Sequence, residues 1–510
     1  MVLLATPVAI DDPDLFDDAI DRAAQAAAQG ADLIEWRVDM LVSDPDHHAT
    51  VARLLAESPL PCILTCRIDA QGGGFDGPEY ERIALLQHLL DADTLPRYID
   101  LEHVRLAAEH DLRSVVERYR SRGTSVIAST HDFTGRPNDL IRQVADMGMD
   151  DLVDVVKVAY QASALRDALQ CADLLAARPK PMIALAMGQA GLLSRVMGGA
   201  WGGLLTFAAL DAGSASAPGQ PTLTQMIGQW RIRSITDKTV VYGLVGWPLG
   251  ASPGFARHND TFTEQGDDAV YLPLPIREGW ERFKADMLEL VGHPLVRFGG
   301  ASVTMPHKAH CLQLVRDGGG TVDAAAAMAG VANTITVDGQ GALAGANTDV
   351  VGVRAPLEAL GARCSGGRAA VLGAGGAARA ACVALLQVGA SVRVFNRSAE
   401  SARALVDDLK SHGDVAVGDG AASASFNVVV QCTPVGMAHG PAPDGDAMNA
   451  TGFNTACIAD DAVALETIYD PPETSFVTCM QTRGVPVAGG LDMWMEQAAG
   501  QHTCWSAAQW

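Results

Sequence analysis

Residues 216–246 read SAPGQPTLTQMIGQWRIRSITDKTVVYGLVG, and the chain changes character across them. The stretch opens on Ser, Ala, Pro and Gly, as loops do, and then carries a basic patch, Trp230-Arg231-Ile232-Arg233. Upstream, short apolar runs alternate with helical stretches and end in charged residues. Downstream come the Gly- and Ala-rich signals of a nucleotide-binding protein. The chain therefore divides here into two units, and only part of the stretch is joint.

Working upstream, eight strand-like segments are VLLATPVA (2–9), DLIEWRVD (32–39), CILTCRI (62–68), YIDLEH (98–103), SVIASTHDF (125–133), DVVKVAY (154–160), PMIALAMG (181–188) and GGLLTFAAL (202–210). Helical stretches such as DLFDDAIDRAAQAAAQG separate them, so the expectation is α/β, a closed (β/α)8 barrel, with an open doubly wound sheet as the alternative. Barrels of this kind place reactive groups at the C-terminal ends of their strands. Those ends carry Glu35, Arg37 and Asp39, then Arg67, then Asp100 and Glu102, then His131 and Asp132. Lys157 differs, because it sits inside the apolar run Val155–Ala159. An ammonium among valines is poorly solvated, so its pKa is expected to fall towards neutrality and free a nucleophilic amine. The alternative is a structural lysine paired with a carboxylate.

Downstream, KTVVYGLVGWP (238–248) and RFGGASVTMPHK (297–308) read as strands, the latter ending at Lys308. In RAAVLGAGGAARAACVALLQVGASVRVFNRS (368–398) a strand meets Gly373, Gly375 and Ala378, then a helix, then a second strand ending Phe395-Asn396-Arg397. Strand, glycine turn and helix together read as a phosphate cradle of Rossmann type. NAD sites place an acid at the end of the second strand. Asn396, Arg397 and Ser398 suit a 2′-phosphate instead, so NADP is the expected cofactor.

Lys plus Arg number 37 against 60 Asp plus Glu, a formal charge of −23, which argues against nucleic acid or an anionic membrane as partner. Ten cysteines without a C-x-x-C pair read as reduced thiols, not a disulfide frame or a metal site. The opening MVLLATPVAIDD lacks a basic n-region, and no run reaches the ~18 apolar residues of a membrane span. A soluble, cytoplasmic protein is expected.

EWRVD (35–39), Arg67 with GGGF, STHDF (129–133), VVKVA (155–159), MGQAGLLSR (187–195) and SAPGQ (216–220) resemble, in order, the type I 3-dehydroquinate dehydratases. The resemblance implies Lys157 as the Schiff-base lysine and His131 as the base at C2. It implies Arg195 as the clamp on the substrate carboxylate, Glu35, Arg37 and Arg67 around the ring, and Ser216 and Gln220 as closing residues. Gln71 stands where that family usually has Glu beside the histidine.

PLGASPGFARHN, SVTMPHK, VANTI, GANTD, GAGGAA, NRS, TPVGM, IYDPPET and GLDMWMEQA resemble shikimate dehydrogenase over roughly residues 240–505. That implies Lys308 and Asp349 as the catalytic pair. Ser252, Thr304, Asn333, Thr348, Tyr469 and Gln497 would hold substrate. Gly373, Ala374, Gly375, Gly376, Ala377, Asn396, Arg397, Ser398, Thr433, Met437, Gly490 and Met493 would hold NADP. Ala251 and Gly254 depart from the usual H-S-x-S-P loop, and Gln431 replaces the usual Asn before Thr-Pro. Gly254 leaves space near C1, where quinate carries an extra hydroxyl.

The order resembles the fused dehydratase–dehydrogenases of plants. The expected domains are a barrel over 1–222, a linker over 223–237, a substrate domain over 238–345, a cofactor domain over 346–480 and a returning helical segment over 481–510. The linker is expected to be short and semi-ordered, with MIGQWRIR helical. The leading reading is dehydration of 3-dehydroquinate followed by NADPH-dependent reduction to shikimate. The alternatives are a quinate or dual quinate/shikimate dehydrogenase in the second half, and a non-catalytic metabolite sensor. Oligomeric state stays open.

Overall fold

A computed structural model describes residues 2–250, 252–362, 365–419 and 425–508. Ala251, one of the departures noted above, lies outside them. The chain folds as two compact units, Met1–Phe298 and Gly299–Trp510.

The first unit holds eight parallel strands: β1 (Leu3–Ala9), β2 (Leu33–Arg37), β3 (Cys62–Thr65), β4 (Tyr98–Glu102), β5 (Ser125–Asp132), β6 (Val155–Gln161), β7 (Met182–Met187) and β8 (Leu205–Phe207). Neighbours pair in sequence order and β8 pairs with β1. On the other side Leu204 N–H donates to Met182 O at 2.9 Å, which brings β8 against β7. Side chains alternate along a strand, so Ala5, Leu33, Ile63, Ile127, Val155, Ile183 and Leu205 fill the barrel interior. Lys157 shares the inward face with Val155 and Ala159, while Val156 and Val158 take the opposite face. That alternation is what carries a charged residue into the barrel.

The joint packs as structure. Leu223, Met226, Trp230 and Ile232 are buried, and a helical turn spans Gln225–Gln229. Arg233 donates to Asp32 Oδ2 at 2.7 Å and to Gly30 O at 2.6 Å, and Arg231 donates to Ala269 O. The parallel pair β9 (Val240–Gly246) and β10 (Ala269–Pro275) follows. The next helix, Trp280–Gly292, meets the barrel through Arg166 and Glu289 at 2.7 Å. The compact unit thus runs past the linker to Phe298.

The second unit contains β11 (Arg297–Val303, which carries the boundary), β12 (Thr321–Val322), β13 (Thr334–Val337) and β14 (Leu343–Ala346). Strand β13 runs antiparallel to β11 and β14. Then β15 (Arg368–Leu372), β16 (Ser391–Phe395), β17 (Val415–Val417), β18 (Phe426–Gln431), β19 (Ile458–Glu466) and β20 (Val487–Ala488) form a parallel sheet in the order β17-β16-β15-β18-β19-β20. That is the doubly wound order of dinucleotide-binding folds. The last helix, Gly490–Ser506, returns to β11 and β13 through Ser302–Gln501 (2.9 Å) and Trp505–Ile335 O (3.3 Å). Among the described residues no helix is long and apolar enough to cross a membrane.

Candidate active sites

One cleft at the C-terminal end of the barrel is lined by Glu35, Arg37, Arg67, His131, Lys157, Arg195, Ser216 and Gln220. These are the eight residues that the dehydratase resemblance implies; Asp39, Asp100, Glu102 and Asp132, also read as strand-end groups, do not line the cleft. Gln71, Phe133, Leu185, Met187 and Phe207 complete the wall around about 510 Å3 of space, part of it open to solvent.

The Lys157 ammonium is not isolated among valines, which corrects the expectation of a bare amine. Its Nζ lies 2.6 Å from Asp100 Oδ2 and 3.6 Å from Glu35 Oε1, with the Phe207 ring centroid 4.4 Å away. Burial alone would raise the Asp100 carboxyl, but Arg67 and Lys157 hold it well below the carboxylate range. Asp100 also accepts from Ser129 Oγ at 2.6 Å, and Glu35 accepts from Thr65 Oγ1 at 2.9 Å. The amine is therefore aimed by fixed acceptors. Asp100 was legible as a strand-end charge, and its inward register on YIDLE marks it as a partner for Lys157.

Arg67 lines the cleft, yet its guanidinium is largely committed to protein: Nη1 to Glu102 and Ser129, Nη2 to Asp100. Arg195 is the opposite case. It is buried, makes no ion pair among the described residues, and its Nε has no hydrogen-bond partner. Desolvation pushes it down to about 10. A buried guanidinium without a counter-ion calls for an anion, and Arg195 lines the cleft.

The second unit brings Lys308, Asp349, Asn333 and Thr348 together. Lys308 Nζ sits 2.5 Å from Asp349 Oδ2, while Asn333 Nδ2 donates to Asp349 Oδ1 at 2.7 Å and to Thr348 Oγ1 at 3.1 Å. Asp349 opens the helix Asp349–Ala359, where the amide dipoles favour a carboxylate. A side chain on Gly376 would start 3.8 Å from Lys308 Cδ, so the pair borders the first turn of the helix Gly376–Gln387. In front of that helix lies a pocket of about 840 Å3, lined by Gly373, Ala374, Gly375, Asn396, Arg397 and Thr433, with Ser401 and Thr451 added by the structure. Gly373 has φ +120°, and a Cβ there would come 3.0 Å from Cys432 O, so only glycine allows the turn. Gly376, Ala377, Ser398 and Met437 do not line this pocket; Ser398 accepts from Ser401 N as the cap of the next helix. Gly490 and Met493 belong to the returning helix, whose Met493 O lies 2.8 Å from where a Gly352 Cβ would be. Tyr469 is partly exposed, Gln497 packs beside Gly352, and Thr304 O accepts from His307 N at the end of β11.

Residues 5–237 match the type I 3-dehydroquinase family, and residues 244–335 match the shikimate dehydrogenase substrate binding domain. The chain is 36% identical over 288 residues to a shikimate dehydrogenase (NADP(+)) of Citrifermentans bemidjiense, covering 54% of this chain and 92% of that one. It is 30% identical over 213 residues to a 3-dehydroquinate dehydratase of Methanosarcina acetivorans, covering 40% and 87%. The chain belongs to both families. One relative that spans both halves, the bifunctional 3-dehydroquinate dehydratase/shikimate dehydrogenase of Arabidopsis thaliana, is 29% identical across 97% of this chain and 80% of its own length.

Three departures acquire physical content. In the dehydroquinase half, Gln71 Oε1 accepts from His131 N–H at 2.8 Å and lies 3.3 Å from His131 Nδ1. With Oε1 accepting, Nδ1 carries the hydrogen and Nε2 keeps its lone pair. Burial, together with the Arg67 and Lys157 cations, lowers His131 well below the ordinary histidine range. The imidazole is therefore biased towards its neutral form. Gln71→Glu adds an anion that favours imidazolium, so the acid limb of the kcat–pH profile should move up by about 1 unit; a profile identical to wild type would show that Gln71 does not tune the histidine. In the dehydrogenase half, buried Gln431 accepts from Thr433 N at 2.6 Å and donates to Thr433 O and Val435 O. It braces the 433–437 loop. Gly254, in the first unit, is buried, and its N–H donates to Ser252 Oγ at 3.2 Å.

Proposed function

We propose that this chain dehydrates 3-dehydroquinate at Lys157 and reduces the resulting 3-dehydroshikimate to shikimate at Lys308 and Asp349, using NADPH. The observation that carries the reading is a buried amine held by Asp100 and Glu35 in one cleft with His131 and the unpaired Arg195.

Arg195 pairs with the substrate carboxylate, and Glu35 and Arg37 face the ring. The Lys157 amine adds to the C3 ketone, and loss of the carbonyl oxygen as water gives a protonated imine that acidifies C2–H. His131 takes that proton, the enamine expels the C1 hydroxyl, and His131 returns the proton so that it leaves as water. Hydrolysis then releases product and restores the amine. Ser216 and Gln220 close the cleft against solvent.

In the second half Lys308 moves a proton at the C3 oxygen while Asp349, fixed by Asn333, holds its ammonium. NADP bound against Gly373–Gly376, Asn396 and Arg397 would supply or accept the hydride. Arg397 is the groove's cation for a 2′-phosphate, so Arg397→Ala should raise KM for NADP about tenfold or more, with NAD changed less than about twofold. Equal losses for both would remove that role. Described cysteines that are all free thiols agree with a reducing, cytoplasmic setting.

Borohydride added during turnover should leave reduced substrate attached at Lys157, read as added mass on its peptide. Folded, catalytically exposed protein without that adduct would overturn the first half of the reading. Gly254 motivates a second reading, a quinate or dual quinate/shikimate dehydrogenase, because the serine hydroxyl expected at that loop position is missing, although Ser252 Oγ, His258 and Tyr271 stand within 3.6 Å of where its Cβ would start. Comparing kcat/KM for quinate and shikimate decides it, and absent quinate turnover removes it.

A further inference from the structure

The run from Arg67 through Gly72-Gly73-Gly74 to Phe75 folds as one tight loop at the rim of the dehydroquinase cleft. Asp69 N–H donates to Phe75 O at 2.9 Å, Phe75 N–H to Arg67 O at 3.1 Å and Gly73 N–H to Ile68 O at 3.0 Å. At Gly73 the loop passes so close to its own start that a Cβ would fall 1.9 Å from Arg67 O, so only glycine fits. Asp39, a buried carboxylate in the turn after β2, fastens this loop to the barrel. Its Oδ1 accepts from Arg67 N–H at 2.8 Å and its Oδ2 from Gly74 N–H at 3.0 Å, so one side chain grips both arms. The same carboxylate accepts from Arg37 Nη2 at 2.5 Å and Nε at 3.3 Å. Glu102 adds a further tie, accepting from Ile68 N–H at 3.1 Å. Between the two arms the loop carries Gln71, whose Oε1 lies against the backbone N–H and ring Nδ1 of His131.

We propose that Asp39 is a positioning residue of the dehydratase: through the loop 67–75 it fixes where Gln71 stands, and through Gln71 it fixes which ring nitrogen of His131 carries the hydrogen. The inference rests on the reading of His131 as the base. Asp39 does not line the cleft, so it acts only through the groups it holds. A carboxylate has two acceptor oxygens and no hydrogen, and can therefore serve both arms of the loop and Arg37 together. In Asp39→Asn an NH2 replaces one oxygen and faces N–H donors, so one arm loses its anchor. Gln71 Oε1 is then no longer held against Nδ1, the ring takes both tautomers, and the share with a lone pair at Nε2 falls.

The test measures dehydration of 3-dehydroquinate by full-length wild type, Asp39→Asn, Gln71→Ala and the double variant, with the borohydride adduct at Lys157 as the sign of an assembled site. Asp39→Asn should lower kcat about tenfold in the wild-type background. In the Gln71→Ala background it should lower kcat less than about twofold, because the loop then has no acceptor to deliver. Equal factors in both backgrounds overturn the route through Gln71. The ring itself gives a second readout: 15N shifts of His131 in ligand-free protein should show hydrogen on Nδ1 alone in wild type and a mixture in Asp39→Asn. Gly73→Ala, which changes no charge but forces the loop off Arg67 O, should reproduce both the fall in kcat and the mixture; wild-type values there overturn the part given to the loop. Wild type that neither dehydrates nor takes the adduct overturns the reading of the site. Wild type that does both, with Asp39→Asn equal to it in kcat and ring shifts, overturns the inference alone.

Discussion

Lys157→Ala is expected to lower dehydratase kcat to about a thousandth of wild type or less, while shikimate oxidation by the same protein stays within about twofold. Among the described residues lining the cleft Lys157 is the one lysine, and the arginines beside it stay protonated and are not nucleophiles. The variant removes one cation between Asp100 and Glu35, but both acids keep partners. Asp100 retains Arg67 at 2.8 Å and Ser129, and Glu35 retains Thr65. The barrel should therefore fold, and the intact dehydrogenase rate is the internal control. Dehydroquinate should still bind, since Arg195 is untouched. Retained dehydration would mean that the amine is structural.

Lys308→Ala should produce the mirror image, a fall of about 10²–10⁴-fold in shikimate oxidation with dehydratase activity unchanged. Asp349 keeps its bonds from Asn333 and its place at the helix start, so the truncation removes the proton carrier without dismantling its support. The pocket proposed for NADP lies along Gly373–Gly375 and Arg397, so KM for NADP should hardly move while kcat collapses. A loss seen mainly in KM would instead make Lys308 a binding residue.

Much of this was legible in the chain. Eight apolar segments separated by helical stretches foretold the barrel because parallel strands covered by helices need continuous apolar runs. The glycine turn at Gly373 was legible because its backbone conformation excludes other residues, and it lines the pocket proposed for the cofactor. What sequence reading missed came from partners distant along the chain. Lys157 looked bare because its flanking valines are visible in sequence, whereas Asp100, 57 positions away, is not. The Gln431 substitution had no meaning until its amide met the backbone of the loop that follows. The joint read as short with MIGQWRIR helical, and a helical turn does span Gln225–Gln229; the surface that Leu223, Met226 and Trp230 bury against was not visible in the chain. Segment boundaries likewise follow packing: the first compact unit extends to Phe298, since β9, β10 and the helix after them pack with the barrel.

The most direct test is a single reaction started from 3-dehydroquinate with NADPH, run on wild type, Lys157→Ala and Lys308→Ala. Wild type should consume NADPH and yield shikimate. Lys308→Ala should stop at 3-dehydroshikimate. Lys157→Ala should form nothing from dehydroquinate yet reduce added 3-dehydroshikimate at the wild-type rate. Wild-type protein that neither forms 3-dehydroshikimate nor reduces it would contradict the two-site account.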